Sequence, residues 1–373
     1  MSNDAATTSG SATSGPSSPG AASGGAVVDD DALSRLRPLS FAVAYRMLGS
    51  VAEAEDVVQE ALLKVVRQAA EPGGVRNPDA FVTTITTRLS INVLRSARAR
   101  RETYVGDWLP EPLVSGASSW PGHETPVVAH AAPPPEAAAH AELADDLSTA
   151  FLVVLETLTP TERAAFLLHD VLGYPHGEAA EIIGTSAVSA RQLASRARRR
   201  IAARRAQSVG RAPAGKDRAE ATRLVGRFLA AVEDGQVEAF VGILADDVVF
   251  TGDGGGNVPP GFAIQKPMAG RARVARALAG FARRAGGGMA RYEPADVNGA
   301  PGLVIVAGDS LGGGVLGTLS FEVGIEPDGT GRIVACHGVV NPAKLGHLGR
   351  LADLTRVAAY LRTAHGSGRL SGR

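Results

Sequence analysis

Apolar positions repeat at helical spacing up to about residue 207 and at strand spacing over much of the chain beyond it. Leu39, Ala42, Tyr45 and Leu48 fall at three-residue steps, as on one buried helix face. Gly49 ends that helix, and Ser50 with Glu53 forms the S-x-x-E signature of a second. Val57, Ala61 and Val65 line the second helix until Pro72-Gly73-Gly74 breaks it. Asn77 and Pro78 open a third helix, whose Phe81, Ile85, Leu89 and Val93 share a side. Its other side carries Thr83, Thr87, Arg88, Asn92 and Arg95 and runs into Arg98, Arg100 and Arg101.

Beyond about residue 141 the helical pattern returns. Phe151, Val154 and Leu155 continue a stripe from Leu147, and Thr159-Pro160-Thr161-Glu162 is a second capping signature. Two short helices, about 177–183 and 187–205, flank Gly184-Thr185-Ser186. A glycine-bearing turn of that length between two helices is the helix-turn-helix pattern. Ala190, Ala194, Ala197 and Ile201 form the buried face of the second, which leaves Ser189, Arg191, Gln192, Ser195, Arg196 and Arg199 free to enter a groove. Gly177 would cost about 1 kcal/mol if it were interior to the first.

From about residue 217 the character changes. Helices near 218–233, 236–244 and 271–284 accompany strand-like runs at 248–251, 303–306, 315–323 and 333–340. That order indicates an α+β unit. The division expected is a disordered tail at 1–31, a helical module at 32–101, a linker at 102–140, a helix-turn-helix module at 141–207, the α+β unit at 217–350 and a C-terminal extension at 351–373, frayed at its end. The tail is almost all Ala, Ser, Gly, Thr and Pro, and it has no charged start or apolar core of a secretory signal. The linker holds Pro133-Pro134-Pro135, yet Tyr104 to Leu113 carries a Tyr, a Trp and several aliphatic residues, so that stretch is expected to dock on a partner surface.

Composition narrows the function classes. No run of 18 apolar residues occurs, which argues against a transmembrane helix. The single cysteine, Cys336, allows no internal disulfide and suits a reducing cytoplasm; a buried place on a strand is expected for it. Net charge is zero, but Ile182 to Lys216 holds nine basic residues and no acidic one. A one-sided block of that kind suits phosphate binding. Arg191, Gln192 and Arg196 can reach base edges, and Arg199, Arg200 and Arg204 phosphates. The polar face of the third helix suits an unpaired strand. The acidic first turns of the second helix, with Glu53, Glu55, Asp56, Gln59 and Glu60, would repel phosphate and fit a protein partner or the helix N-terminus.

Taken together, these segments resemble extracytoplasmic-function RNA polymerase sigma factors. Arg37-Pro38-Leu39, Ala44 to Gly49 and Ala54 to Glu60 resemble sigma region 2; Leu158 to Arg163 and Ser195 to Arg198 resemble region 4. Trp108 to Pro112, Asp253 to Gly256 and Asn341 to Leu345 resemble the subgroup with a fused SnoaL-like domain, ECF group 41. The resemblance implies a multidomain fold, with two all-α sigma domains followed by an α+β NTF2-like cone domain. It implies core RNA polymerase and promoter DNA as partners, no cofactor and no membrane. By the same resemblance Asp56, Gln59 and Glu60 bind polymerase. Thr83, Thr84, Thr87, Arg88, Asn92 and Arg95 hold the −10 element, and Arg191, Gln192, Ser195, Arg196 and Arg199 the −35 element. Trp108, Leu109, Pro110, Asp253, Gly254, Gly255, Asn341, Pro342 and Lys344 form regulatory contacts between domains. Two positions depart from the subgroup pattern: Asn257 stands where Lys is usual, and Ala343 where an acid is usual.

Three alternatives stay open on residues alone. The chain could be a helix-turn-helix regulator that never engages polymerase, or an enzyme with a DNA-binding appendage. A small ligand could also occupy a pocket in the C-terminal domain. For general acid–base work the candidates are Asp246, Asp247, Asp253, Asp309 and His337, but no spacing pairs a base with an orienting partner. Asp253-Gly254-Gly255-Gly256 lacks the Lys-Ser/Thr of a phosphate-binding loop and is expected to be a turn.

Overall fold

The computed structural model of the chain describes residues 29–102, 104–115, 148–207, 218–326 and 329–367. The N-terminal tail to residue 28, Pro133-Pro134-Pro135, Arg211, Lys216 and the C-terminal end from 368 lie outside them.

Three helices come first: α1 (Asp30–Leu48), α2 (Val51–Ala70) and α3 (Pro78–Glu102). Their ends follow the sequence signals. Gly49 takes the left-handed conformation at φ 65° and its N–H donates to Tyr45 O, which closes α1. Ser50 Oγ accepts from Glu53 N–H at 3.2 Å, and Asn77 Oδ1 from Ala80 N–H at 3.1 Å. After the short strand β1 (Val114–Ser115) come α4 (Thr149–Leu155), α5 (Pro160–Phe166), a π turn at Leu167–Val171, α6 (His176–Ile183) and α7 (Ala187–Gln207). The reciprocal capping box of Thr159 and Glu162 opens α5. Gly184 ends α6 at φ 78°, and Ser186 caps α7. Gly177 sits in the first turn of α6, where its propensity cost is reduced.

The two helical modules share one apolar core. Tyr45, Met47, Leu48, Val57, Val58, Ile91 and Leu94 of the first pack in the same cluster as Phe151, Leu152, Leu155, Ala164, Leu167 and Ile201 of the second. Arg163, 2% exposed, donates from Nη1 to Met47 O at 2.6 Å and to Glu156 at 2.8 Å, which ties α5 to the end of α1.

The remainder is α+β: α8 (Arg218–Asp234), α9 (Val237–Val241), β2 (Leu244–Asp253), β3 (Met268–Ala269), α10 (Arg271–Ala285), β4 (Ala290–Val297), β5 (Ala300–Ala307), β6 (Val315–Ile325), β7 (Gly331–Val339) and α11 (Leu354–Ser367). The sheet order is β1-β4-β5-β6-β7-β2-β3; β2 and β7 are parallel and the other pairs antiparallel. The first three expected strands lie within β2, β5 and β6, the fourth, expected to 340, ends with β7 at Val339, and Cys336 is buried on β7. Two sequence expectations differ. The helix expected over 236–244 stops at Val241, and β2 starts at Leu244. β4 is unannounced, because Arg291, Glu293 and Pro294 interrupt its apolar pattern; it is an edge strand except where β1 joins it, and an edge tolerates proline.

Side-chain alternation gives this sheet two apolar faces. Leu303, Leu319, Phe321 and Cys336 face α8, α9 and α10 in one cluster. Val304, Val306, Val315 and Val339 face the other way, against Leu109 and Val114 of the linker and Leu345 and Leu348 beyond β7. The linker is therefore the cover of the second face, and burying Leu109 there is worth roughly 1.5–3 kcal/mol.

Because Leu155 is fully buried in the core shared by both helical modules, Leu155→Ala is expected to cost about 2–5 kcal/mol. Hydrogen exchange should then rise in α1 and α2 together with α5. Loss of protection confined to α4–α7 would show two separate cores.

Candidate functional site

The linker from Tyr104 to Ser115 is held on both sides. On the C-terminal side, β2 ends at Asp253, a carboxylate with no exposure. Its Oδ2 accepts from Leu109 N–H at 2.8 Å and from Lys344 Nζ at 2.7 Å, and its Oδ1 accepts from the Tyr104 hydroxyl and from Gly255 N–H at 3.1 Å. Lys344, 6% exposed, also donates to Leu109 O and lies 3.9 Å from the Trp108 ring centroid and 4.9 Å from that of Tyr104. Asn341 donates from Nδ2 to the Tyr104 oxygen at 2.8 Å and starts the turn that carries Lys344. Burial, and then the hydrogen bond and charge of Asp253, push the Tyr104 phenol well above its ordinary range.

Glycine is required where the chain closes on this cluster. Gly255 has φ 59°, and a Cβ there would lie 2.3 Å from Asn341 Nδ2. The Asp253-Gly254-Gly255-Gly256 segment is thus a turn after β2 that wraps Asn341 and the linker. Asn257 and Ala343, the two departures, are both exposed and lie outside the cluster of buried charges.

On the helical side the same linker seals the turn between α1 and α2. A Cβ on Gly49 would meet Trp108 Cη2 at 2.6 Å and Pro110 Cβ at 3.5 Å. Glu111 N–H donates to Gly49 O at 2.8 Å. The Glu111 carboxylate accepts from Ser50 Oγ at 2.8 Å, Val51 N–H at 2.7 Å and Ala52 N–H at 3.4 Å, so it caps α2 from outside. The fully buried Tyr45 hydroxyl donates to Glu111 O and to Asn298 Oδ1, and burial raises its pKa far above the usual phenol range, with Glu111 adding to the effect. Asn298, at φ 53° in the β4–β5 turn, accepts from Leu113 N–H at 2.7 Å and donates to Thr149 Oγ1 at 3.0 Å. His347 Nε2 lies 2.8 Å from Pro112 O. Sequence pattern does not single out Glu111, Asn298 or Thr149. The one available signal is Asn298-Gly299 between apolar runs, a hairpin-turn dipeptide.

The polymerase candidates Asp56, Gln59 and Glu60 are exposed at helical spacing on α2. Exposed Leu63 and Val66 continue that stripe, and Glu60 pairs with Lys64 at 2.8 Å. The −10 candidates divide. Arg88, Asn92 and Arg95 are exposed, Thr84 is half-buried, and Thr83 and Thr87 are each 1% exposed. Thr83 and Thr84 donate back to Asp79 O and Ala80 O, whereas the hydroxyls of Thr87 and Ser90 are buried without a partner. α3 packs on α5 and α6. Arg88 donates from Nε to Ile182 O at 2.9 Å and from Nη2 to Glu181 O at 2.8 Å, the last carbonyls of α6.

On α7, Ala190, Ala194, Ala197 and Ile201 are buried as the pattern predicts, and Arg191, Gln192, Arg196 and Arg199 are exposed. Ser195 is half-buried. The basic block lacks acids along its own helix, but α5 and the π turn supply them. Glu162 accepts from Arg196 at 3.2 Å and Arg200 at 2.6 Å, and Asp170 pairs with Arg198 at 2.7 Å. Burial raises the Glu162 carboxyl, but hydrogen bonds from Thr159 together with Arg200 and Arg196 outweigh it and hold it below its ordinary range.

The acid–base candidates do not converge. Asp246 pairs with Arg271 and Asp309 with Arg291 at the surface, Asp253 is in the linker cluster, and His337 pairs with Glu322 at 2.6 Å. No group of three or more metal-ligating side chains occurs among the described residues. Nor is any described helix long and apolar enough to cross a membrane.

Residues 33–100 match the family Sigma-70 region 2, and residues 148–201 match Sigma-70, region 4. The chain is 41% identical over 254 residues to the ECF RNA polymerase sigma factor SigJ of Mycobacterium tuberculosis, covering 68% of this chain and 73% of that protein. It is 31% identical over 202 residues to the probable ECF RNA polymerase sigma factor SigI of the same organism, covering 54% of this chain and 62% of that one. The crystal structure of M. tuberculosis SigJ superposes with a TM-score of 0.60 at 31% identity, over 86% of this chain and 99% of that one. With two sigma regions in order on helical modules and an α+β domain behind them, the chain belongs to the extracytoplasmic-function RNA polymerase sigma factors.

Proposed function

We propose that this sigma factor rests in a closed form, held by its C-terminal domain through the linker, and opens to load promoter DNA onto core polymerase in the cytoplasm. The observation that carries this is the Arg88 contact: a candidate reader of the −10 element is spent on the carbonyls that end α6. The −10 and −35 elements are separated by about 25 base pairs, roughly 85 Å of duplex at about 3.4 Å per step. Helices α3 and α6 in contact do not span that distance.

In the open form, Asp56, Gln59 and Glu60 meet polymerase, with Leu63 and Val66 beside them. Thr83, Thr84, Thr87, Arg88, Asn92 and Arg95 hold the opened strand, and Arg191, Gln192, Ser195, Arg196 and Arg199 seat α7 in duplex. The C-terminal domain acts as a regulatory unit and not as an enzyme, in keeping with the sigma family to which the chain belongs. Trp108, Leu109, Pro110, Asp253, Gly254, Gly255, Asn341, Pro342 and Lys344 are its grip on the linker.

Two outcomes are expected. Spin labels at Arg67→Cys and Glu178→Cys, both exposed positions, should give one short distance in the free chain and a longer one with core polymerase and promoter. An unchanged distance in the initiating complex rules out opening. Lys344→Gln should expose Leu109 N–H and Leu113 N–H to faster hydrogen exchange while β5 and β6 keep their protection, because breaking one side of a buried ion pair costs about 3–5 kcal/mol. The same variant, and a chain ending near residue 213, should differ from the full chain in promoter-dependent transcription. Identical transcription and promoter occupancy in all three would defeat regulation by the C-terminal domain.

A further inference from the structure

The C-terminal domain holds a partly open cavity of about 110 Å3 between the sheet and helices α8 and α10. Its walls are mostly carbon, with Phe228, Phe250, Phe281 and Leu319 among them. Side chains able to hydrogen-bond are few: Arg284, Tyr292 and Thr318. The guanidinium of Arg284 lies 4.8 Å from the Phe281 ring centroid. Burial lowers its pKa, Arg283 adds to that and the phenol of Tyr292 acts in the opposite sense; among the described residues no carboxylate pairs with it. Burial raises Tyr292 to about 12, and nearby Arg284 acts in the opposite sense.

A half-desolvated guanidinium without an acid, beside a neutral phenol on an apolar cavity, gains most from an anion with an apolar body. Size restricts that body. An apolar cavity of about 150 Å3 accepts benzene, and this one, at about 110 Å3 and open to solvent on one side, is on the scale of a single ring. We infer that this cavity binds a small single-ring carboxylic acid, its ring among the phenylalanines, its carboxylate on Arg284, and the Tyr292 hydroxyl donating a second bond.

The site adjoins the linker grip. Gly252 and Val340 line the cavity, and the next residues, Asp253 and Asn341, belong to the cluster around Lys344. Gly252 and Asp253 are successive residues of β2 and face opposite sides, and Val340 and Asn341 follow directly after β7, so a ligand in the cavity bears on the residues that hold the linker on the other side. This coupling rests on the closed-form reading; the binding does not.

The test uses the full chain with Trp120→Phe, which leaves Trp108 as the sole tryptophan. Benzoate is titrated against toluene, its neutral counterpart, by calorimetry and ligand-observed NMR. Benzoate should saturate one site at least about tenfold more tightly than toluene, the factor expected for a charge-assisted bond. Arg284→Gln should remove that advantage and leave toluene unchanged, Tyr292→Phe should reduce it in part, and the exposed neighbour Arg283→Gln should change neither ligand. No saturable benzoate binding, or equal benzoate affinity with and without Arg284, overturns the site. Unchanged Trp108 emission in a chain that does bind benzoate overturns the coupling to the linker alone.

Discussion

Lys344 and Asp253 meet at 2.7 Å in a place where neither has more than a few per cent of its surface in water. An ion pair so far from solvent contributes little net stability, because desolvating both charges offsets most of their attraction. Its value lies in what else it must satisfy. The remaining acceptor and donor capacity of the two groups goes to Leu109 N–H, Leu109 O and the Tyr104 hydroxyl, and the ammonium is faced by the Trp108 ring. A different linker register would leave a buried charge unmatched, at a cost of several kcal/mol. The pair thus fixes where the linker runs more than how tightly the domain folds.

Once the linker is placed, its next residues organise the helical part. Trp108 and Pro110 cover Gly49, and Glu111 supplies the carboxylate over the first N–H groups of α2. Tyr45 and Asn298 close the connection from the other direction, from the core of the first module to the β4–β5 turn. Arg163 and the common apolar core join the second module to the first. The first helical module and the C-terminal domain thereby both hold the linker, and the second helical module is fixed through the first.

The basic helix α7 shows how tertiary context alters a charge argument. Along its own sequence the block is unopposed, as phosphate binding requires. In the fold, Arg196, Arg198 and Arg200 are matched by Glu162 and Asp170. Arg191, Gln192 and Arg199 remain exposed. The Arg198–Asp170 pair lies near the surface and is worth about 0–1 kcal/mol, whereas Glu162 is buried and also relies on Thr159 for its hydrogen bonds. The acids orient the arginines without neutralising the helix.

Local chemistry made the helical half legible in the sequence. Gly49, Ser50, Asn77-Pro78, Thr159-Glu162 and Gly184-Ser186 act on backbone groups within a few residues, so their positions alone mark where α1 ends, where α2, α3 and α5 begin, and where α6 gives way to α7. The same holds for the buried stripe of α7 and for β5 to β7, whose apolar runs are bounded by glycines. β4 escaped because Pro294 and two charges hide its period, and a strand is defined by partners that lie far along the chain. The linker motif declared its apolar character but not its seat. Glu111 reads as one acid among prolines, and Asn298 as a turn residue, until the fold sets them against α2 and Tyr45. Capping is written within a turn of helix; burial of a charge, and the choice of what neutralises it, exist only once segments far apart in the chain have met.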